Sequence, residues 1–264
     1  MQVLRLGRNL GYGGGANCGI AQVHTDAVVI LNQDIAFKVG CMAALRQRLE
    51  LSGPAVIGAK LRYPDGCTIQ HAGGLIRLPR GEPDHYGYRQ IDDGSHDQVL
   101  EPDYVTGALI VIDRQVLETI GGFDEGFFPA YYEEVDYCYR ARAAGFPIIY
   151  EPRAVAVHHE SQTQNKRSVA YHQMMEYHRV RFVLKHFPPQ QLQHDFYPAE
   201  RDYVQRLPRL FARRVFARAY LRALLDLPAV NWLGTNESAR HTVIDALASL
   251  YCLACRTAQG EAHE

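Results

Sequence analysis

Long apolar runs are missing from this chain of 264 residues. Nowhere does it reach the roughly eighteen consecutive apolar residues that a membrane-crossing helix needs, so no spanning segment is expected. An excess of one charge is missing too. With 28 Lys and Arg against 29 Asp and Glu, net charge is -1, no overall field draws nucleic acid, and nucleic acid is not an expected partner. Cysteine is sparse: six residues, at 18, 41, 67, 138, 252 and 255, lie scattered in a chain without a recognisable signal peptide. Reduced thiols in the cytosol are expected rather than a disulfide framework. Cys252 and Cys255 have CxxC spacing, but they sit in a helix-like stretch with no second pair, which disfavours a metal or redox role. What remains, 47% hydrophobic and 22% charged, is an ordinary globular composition with enough chain for one or two domains.

The most informative stretch is Gly121–Gly145. A Gly-Gly turn precedes Phe123-Asp124-Glu125, an aromatic cluster (Phe127, Phe128, Tyr131, Tyr132) follows, and three acids stand in four positions, Glu133, Glu134 and Asp136. Val135, Cys138 and Tyr139 then recur at helical spacing until Gly145 and Pro147 stop the helix. Acids in a first turn suit the helix dipole by themselves. Acids beside aromatic rings also suit a sugar site, with one carboxylate as general base on a hydroxyl.

Upstream, Val3–Leu6 has strand character and leads into a glycine-rich loop, Arg8–Asn17, ahead of a short helix over Ala16–Val23. Gly11, Gly13 and Ala16 fit G-x-G-x-x-A and Asp34 follows, which leaves a dinucleotide-dependent oxidoreductase as one alternative and a plain glycine turn as another. Ala27–Leu31 is a continuous apolar run, as expected of a strand buried on both faces. It ends in Asn32-Gln33-Asp34, where Asn32 and Asp34 can offer hard oxygen ligands to Mg²⁺ or Mn²⁺ on a diphosphate, or simply close an Asx turn.

Lys38–Leu51 reads as a helix, Ala55–Leu61 as a strand, Tyr63–Gly66 as a turn and Thr68–Leu78 as a strand or hairpin arm. Pro79–Val99 reads as a long surface loop. Asp103–Ile112 resumes strand character and Arg114–Ile120 is a short helix. Strand-like runs at Ile148–Tyr150 and Ala154–Val157 end at His158-His159, where a metal ligand competes with a structural histidine. Beyond Thr163 helices are expected over Ser168–Phe187, Pro208–Leu225 and Ser238–Cys255, with a frayed end from Gly260. In the second of these, Arg214, Arg218 and Arg222 share a face, which suits either an anionic membrane surface or solvated arginines on a packed helix.

Taken in order, these segments resemble the family 2 glycosyltransferases, in particular bacterial rhamnosyltransferase-like members. Asn9–Asn17 resembles the family's N-x-G-aromatic-x-G-G-x-N loop, and Leu31-Asn32-Gln33-Asp34 its version of the metal-binding D-x-D motif. Ile69–Gly74, Val105–Ala108, Gly121–Glu125, Phe128, Tyr132–Asp136, Pro152 and His158 follow in the family's order, over about residues 3 to 160. Two departures stand out: Glu134 replaces the family's usual Asp, and Met1 sits where a third strand would begin, so two nucleotide-binding strand–helix units, about fifty residues, are expected to be absent.

The resemblance implies an α/β fold of GT-A, Rossmann-like type. It implies a mixed, mostly parallel sheet flanked by helices, N-terminally truncated, at 1–163, with a helical extension at 164–264. It implies inverting transfer of one sugar, possibly rhamnose, from a nucleotide-diphosphate donor to a glycan or lipid-linked acceptor in cell-surface polysaccharide synthesis. Glu134 would be the base, with Asp136 in reserve. Asp34 and His158 would hold Mg²⁺ or Mn²⁺. Asn9, Gly11, Gly13, Gly14, Asn17 and Asn32 would meet the donor. Thr106, Gly107, Phe128 and Glu133 would meet the acceptor. The Q-x-x-R-W block of processive synthases is absent, since the single Trp232 follows Asn231. The implied location is cytoplasmic, with a possible peripheral place on the inner face of an anionic membrane. A truncated, inactive relative that keeps an acceptor- or partner-binding surface is the other reading.

Overall fold

A computed structural model describes residues 2–159, 168–207, 210–227 and 237–259. Trp232, the side chain of Arg209, Glu160 and Ser161, and the end from Gly260 lie outside the described residues. The chain groups into two compact units. Met1–Ile76 with Pro83–Ser161 forms one, and Arg77–Glu82 with Gln162–Glu264 the other.

The first unit is built on a six-stranded sheet. Its strands are β1 (Ala27–Leu31), β2 (Ile35–Phe37), β3 (Val56–Arg62), β4 (Ile69–His71), β7 (Leu109–Asp113) and β8 (Ile148–His158). A separate hairpin pairs β5 (Gly74–Arg77) with β6 (Glu82–His85). The main sheet runs β1-β7-β3-β8-β2, with β4 paired to β3. The sheet is mixed as expected, but the balance of directions differs. Among the described ladders β3·β8 is parallel and the other four are antiparallel.

β3 is apolar and buried along almost its whole length, as a central strand must be. α2 (Cys41–Ser52) lays Cys41, Ala44 and Leu45 over Ile57, Leu61, Ile149 and Ala156, which is the core of this unit. α3 (Arg114–Ile120) starts on an Asp113 cap, whose carboxylate accepts the Gln115 N–H, and ends at Gly121. Gly121 has φ 75°, a left-handed value that favours glycine. α4 (Glu133–Ala143) follows.

Four expectations are corrected here. Val3–Leu6 forms no strand and its apolar side chains are exposed, because no described ladder includes it. Among the described residues β1 pairs only with β7, so it is an edge strand with Val28 alone buried, not a strand covered on both faces. The helix α1 spans Gly11–Ile20 rather than Ala16–Val23, so the glycines lie inside it. The expected surface loop at Pro79–Val99 contains β6 and a buried ion cluster. There Lys60 Nζ donates to Asp92 (2.9 Å) and to Asp97, and Arg62 Nε donates to Asp92 (2.7 Å).

The second unit contains α5 (Val169–His186), α6 (Pro189–Gln191), a π-turn at Leu192–Phe196, α7 (Tyr197–Gln205), α8 (Leu210–Asp226) and α9 (Glu237–Gln259). α8 packs between α5 and α9. At its centre Glu200, fully buried, accepts from Arg80 Nε (2.8 Å), from Arg179 and from the Tyr220 hydroxyl (2.6 Å). Arg214, Arg218 and Arg222 are exposed on α8, the last over the Tyr177 ring at 4.1 Å. Among the described residues no helix is long and apolar enough to cross a membrane.

Candidate active site

The register of β2 against β8 sets Ile35 beside His158, and the His159 N–H donates to the Asp34 carbonyl at 3.0 Å. That pairing draws three sequence-predicted residues together. Asp34 Oδ1 lies 3.1 Å from His158 Nε2, and Asn32 Nδ2 lies 3.3 Å from the same nitrogen. On its far side, His158 Nδ1 faces Gln70 Oε1 at 2.7 Å in a buried contact. Gln70 can only accept through that oxygen, so Nδ1 carries the hydrogen and Nε2 presents its lone pair.

A lone pair and a carboxylate oxygen 3.1 Å apart fit two neighbouring ligands of one hard cation. Metal–ligand bonds of about 2.1 Å at right angles place two ligands about 3.0 Å apart. Among the described residues no cluster of three or more His, Cys, Asp and Glu side chains forms; this group is two such residues and an amide. Gln70 is the orienting partner that the sequence did not reveal as such.

The acids stand on the first turn of α4. Tyr131 (φ 77°) and Tyr132 (φ 75°) lead into it, two successive left-handed residues of a type that pays about 1–3 kcal/mol for each. Such strain persists only where packing over-determines it, and Tyr132 is buried. Glu133 is 5% exposed and its Oε2 has no hydrogen-bond partner; Glu134 is half-buried, and its Oε2 is closed off and equally unpartnered. The backbone N–H groups of Glu134, Val135 and Gly107 act on its carboxylate and favour the charged form. Burial, then the Glu134 charge, raises the Glu133 carboxyl well above the usual range; burial also raises Glu134, against the pull of those three N–H groups.

Asp136 is differently placed. It is fully buried, and its Oδ2 accepts from Arg140 Nε at 2.9 Å. Arg140 also donates to the carbonyls of Ile120 and Gly122, both at 2.8 Å. A carboxylate so enclosed ties α4 to the Gly-Gly turn and offers no open oxygen pair to a substrate, which is the orienting role and not that of a reserve base.

Several residues expected at a donor site are used for packing instead. Asn17 Oδ1 accepts the Phe123 N–H at 2.8 Å while its Nδ2 donates to the Phe123 carbonyl at 2.9 Å and to Glu125 at 3.1 Å. The side chain is a clasp on the Gly121–Glu125 turn. Gly11 (φ 73°) lies so close to that region that an added Cβ would meet the Pro129 carbonyl oxygen at 2.6 Å. On Gly13 it would meet Phe123 at 3.3 Å, and on Gly14 Leu10 at 2.8 Å. The glycines bring α1 against its neighbours rather than opening a cradle, so the dinucleotide fingerprint is a packing pattern. Asn9 Oδ1 accepts the Gly11 N–H at 2.8 Å, an Asx turn leading into α1.

The segment Thr106-Gly107-Ala108 joins the two halves. The Ala108 carbonyl accepts the Asn32 N–H at 3.0 Å, and the Gly107 backbone N–H lowers the Glu134 pKa. The Gly107 carbonyl accepts the Tyr12 hydroxyl, and Thr106 Oγ1 accepts the Ala108 N–H at 3.3 Å. Phe128 stands exposed beside Gly11. Tyr12 is the aromatic of the glycine-rich loop motif, and no site role was expected of it because its contact with Gly107 is set by tertiary packing. Burial, then Glu134 and Glu133, pushes its hydroxyl well above the usual phenol range.

Among known proteins, the chain is 34% identical over 175 residues to "Uncharacterized protein y4gI" of Sinorhizobium fredii, covering 62% of this chain and 18% of that protein. It is 28% identical over 214 residues to the N-acetylglucosaminyl-diphospho-decaprenol L-rhamnosyltransferase of Mycobacterium tuberculosis, covering 69% of this chain and 66% of that protein. The chain thus spans less than two thirds of the length of either relative. In fold it is similar to GalNAc-T7, solved with UDP, GalNAc and Mn²⁺, at a TM-score of 0.53 and 15% identity over 87% of this chain and 46% of that one. That likeness gives a GT-A type α/β fold. The model described as "Glycosyltransferase like family 2" matches residues 1–175, and the chain belongs to that family.

Proposed function

We propose that this chain carries an inverting glycosyltransferase domain. It moves one sugar, rhamnose by similarity, from a nucleotide-diphosphate donor to a hydroxyl of a glycan or lipid-linked acceptor in cell-surface polysaccharide synthesis. The observation that carries this reading is the bracket formed by Thr106–Ala108. One three-residue segment accepts the N–H of Asn32, from the Asn32–Asp34–His158 group, on its Ala108 carbonyl, and its Gly107 backbone acts on the charge of Glu134.

Asp34 and His158, with Asn32 beside them, are assigned to Mg²⁺ or Mn²⁺, which when bound neutralises charge on the leaving diphosphate. Glu134 accepts the proton of the acceptor hydroxyl as its oxygen bonds to the anomeric carbon and the bond to the diphosphate breaks. Burial raises its pKa, which makes the ionised carboxylate a stronger proton acceptor than an exposed one. Glu133, Thr106 and the exposed Phe128 border the acceptor. Donor contact is assigned to Asn32. The exposed arginines of α8 suit an anionic bilayer at the cytoplasmic face, where a lipid-linked acceptor would lie.

Titration with Mn²⁺ alone, followed by the loss of free-ion electron paramagnetic signal, tests the cation group. One ion per chain is expected for the wild type, with at least tenfold weaker binding in Asp34→Ala and His158→Ala. Equal binding by all three proteins would overturn the assignment.

A further inference from the structure

Gln70 lies on β4 between Ile69 and His71, and alternation along a strand turns its side chain the other way from theirs. His71 reaches towards Thr106, whose N–H its Nε2 accepts at 3.2 Å. Gln70 reaches His158. β3 lies between β4 and β8, and its ladder with β8 ends at Arg62 opposite Val157, one residue short of His158. At that end the Gln70 amide, 9% exposed, meets the His158 ring, 7% exposed.

Three groups bear on the state of that ring. Gln70 Oε1 can only accept, so at 2.7 Å it requires a hydrogen on Nδ1. Asn32 Nδ2 can only donate, so at 3.3 Å it requires a lone pair on Nε2. Asp34 Oδ1, ionised, can only accept, and it stands 3.1 Å from the same Nε2. A lone pair and a carboxylate oxygen at that distance repel unless a cation lies between them. The competing arrangement moves the ring hydrogen to Nε2, from which it bonds Asp34 and closes the pair. Nδ1 then carries a lone pair, which the Gln70 carbonyl opposes. Reversing the amide would relieve that clash. It would also give an acceptor to Gln70 Nε2, which is buried and has no hydrogen-bond partner. The observed orientation thus leaves a buried donor unused and keeps the carbonyl on His158.

We propose that Gln70 decides whether Asp34 and His158 stand as an open ligand pair or close on one another through a hydrogen bond. Its carbonyl holds the hydrogen on His158 Nδ1 and so keeps the Nε2 lone pair turned towards Asp34. Gln70 is a positioning residue: it acts through His158. The inference rests on the assignment of that pair to Mg²⁺ or Mn²⁺ made above, and adds what keeps the pair available. Without the carbonyl, the hydrogen passes to Nε2 and the bond to Asp34 forms. A cation must then break that bond before it can bind.

Two measurements on the full chain test this. In the metal-free protein, at a pH where His158 is neutral, ¹⁵N NMR of the histidine rings tells the tautomers apart, with the His158 signals assigned from His158→Ala. The wild type is expected in the Nδ1–H form. Gln70→Leu, which lacks an acceptor, is expected in the Nε2–H form. Gln70→Glu, whose carboxylate accepts as the carbonyl does, is expected to keep Nδ1–H. Titration with Mn²⁺, read from the free-ion electron paramagnetic signal, is expected to show about 10–100-fold weaker binding in Gln70→Leu and no weakening in Gln70→Glu. Gln70→Met, with only a weak acceptor, gives the same reading where Gln70→Leu does not fold. One tautomer shared by the wild type and Gln70→Leu, or equal Mn²⁺ binding by the two, overturns the inference. So does equal weakening in Gln70→Leu and Gln70→Glu, since Gln70 then only fills space. A wild type that binds no Mn²⁺ removes the cation assignment instead, and the tautomer comparison still decides the part played by Gln70.

Discussion

Asn17 is the residue whose expected role and observed placement differ most, and replacing it with alanine separates the two. The substitution removes three hydrogen bonds, two of them to the backbone of Phe123, a residue only 4% exposed. Each backbone group left buried without a partner costs about 1–3 kcal/mol. With water reaching part of the space vacated by the amide, a net loss of about 2–4 kcal/mol follows. For a unit of this size that corresponds to a fall in melting temperature of roughly 5–10 °C. Amide hydrogen exchange gives the local readout. The Phe123 N–H should lose most of its protection, because Asn17 Oδ1 is its acceptor. Gly122→Ala attacks the same clasp from the other side, since an added Cβ would meet Asn17 Oδ1 at 2.3 Å. The double variant should therefore be less damaged than the sum of the singles, by about 1 kcal/mol or more. An Asn17→Ala protein with normal melting and normal Phe123 protection, but weakened nucleotide-sugar binding, would refute the clasp and restore a donor contact.

Three further outcomes are expected. Glu133→Gln should raise stability at neutral pH, because the folded carboxyl is raised above its ordinary 4.5; the gain should vanish well below 4.5, where the wild-type group is protonated in both states, as denaturant titrations across pH will check. Glu200→Ala should cost about 3–5 kcal/mol by leaving Arg179 and Arg80 buried without their carboxylate, read from thermal melts of the second unit. Flotation with anionic vesicles should recover the wild type and release most of it when Arg214, Arg218 and Arg222 are changed to Gln, whereas equal recovery would assign those arginines to the solvated helix face.

The elements legible in the sequence were those with strong local signals. The first-turn acids of α4, the short helix α3 ending at the Gly-Gly turn, and the strand at Ala55–Leu61 all read correctly. The juxtaposition of Asp34 and His158 was legible only through motif order, because β2·β8 pairing joins residues more than a hundred positions apart. The glycines of α1 misled because the sequence shows that a side chain is missing but not why. Here the reason is contact with Phe123, Pro129 and Leu10, set by tertiary packing. Gln70 and His71 within Ile69–Gly74, Tyr12 within the glycine-rich loop, and Arg140 on α4 showed no sign in the sequence of what each would touch. Their roles exist only once β4, α1 and α4 surround the Thr106–Ala108 segment and the Gly-Gly turn. The edge position of β1 was missed for a related reason: an apolar run such as Ala27–Leu31 does not say whether a second strand lies beyond it.

The most direct measurement is nucleoside diphosphate release from a panel of nucleotide sugars, supplied with Mn²⁺ and a lipid-linked acceptor, by the wild type and by Glu134→Gln. Release by the wild type from at least one donor, reduced a hundredfold or more in the variant while its Mn²⁺ binding is unchanged, is the expected result. Equal release by the two proteins, or a variant that loses the cation along with the activity, would contradict the account.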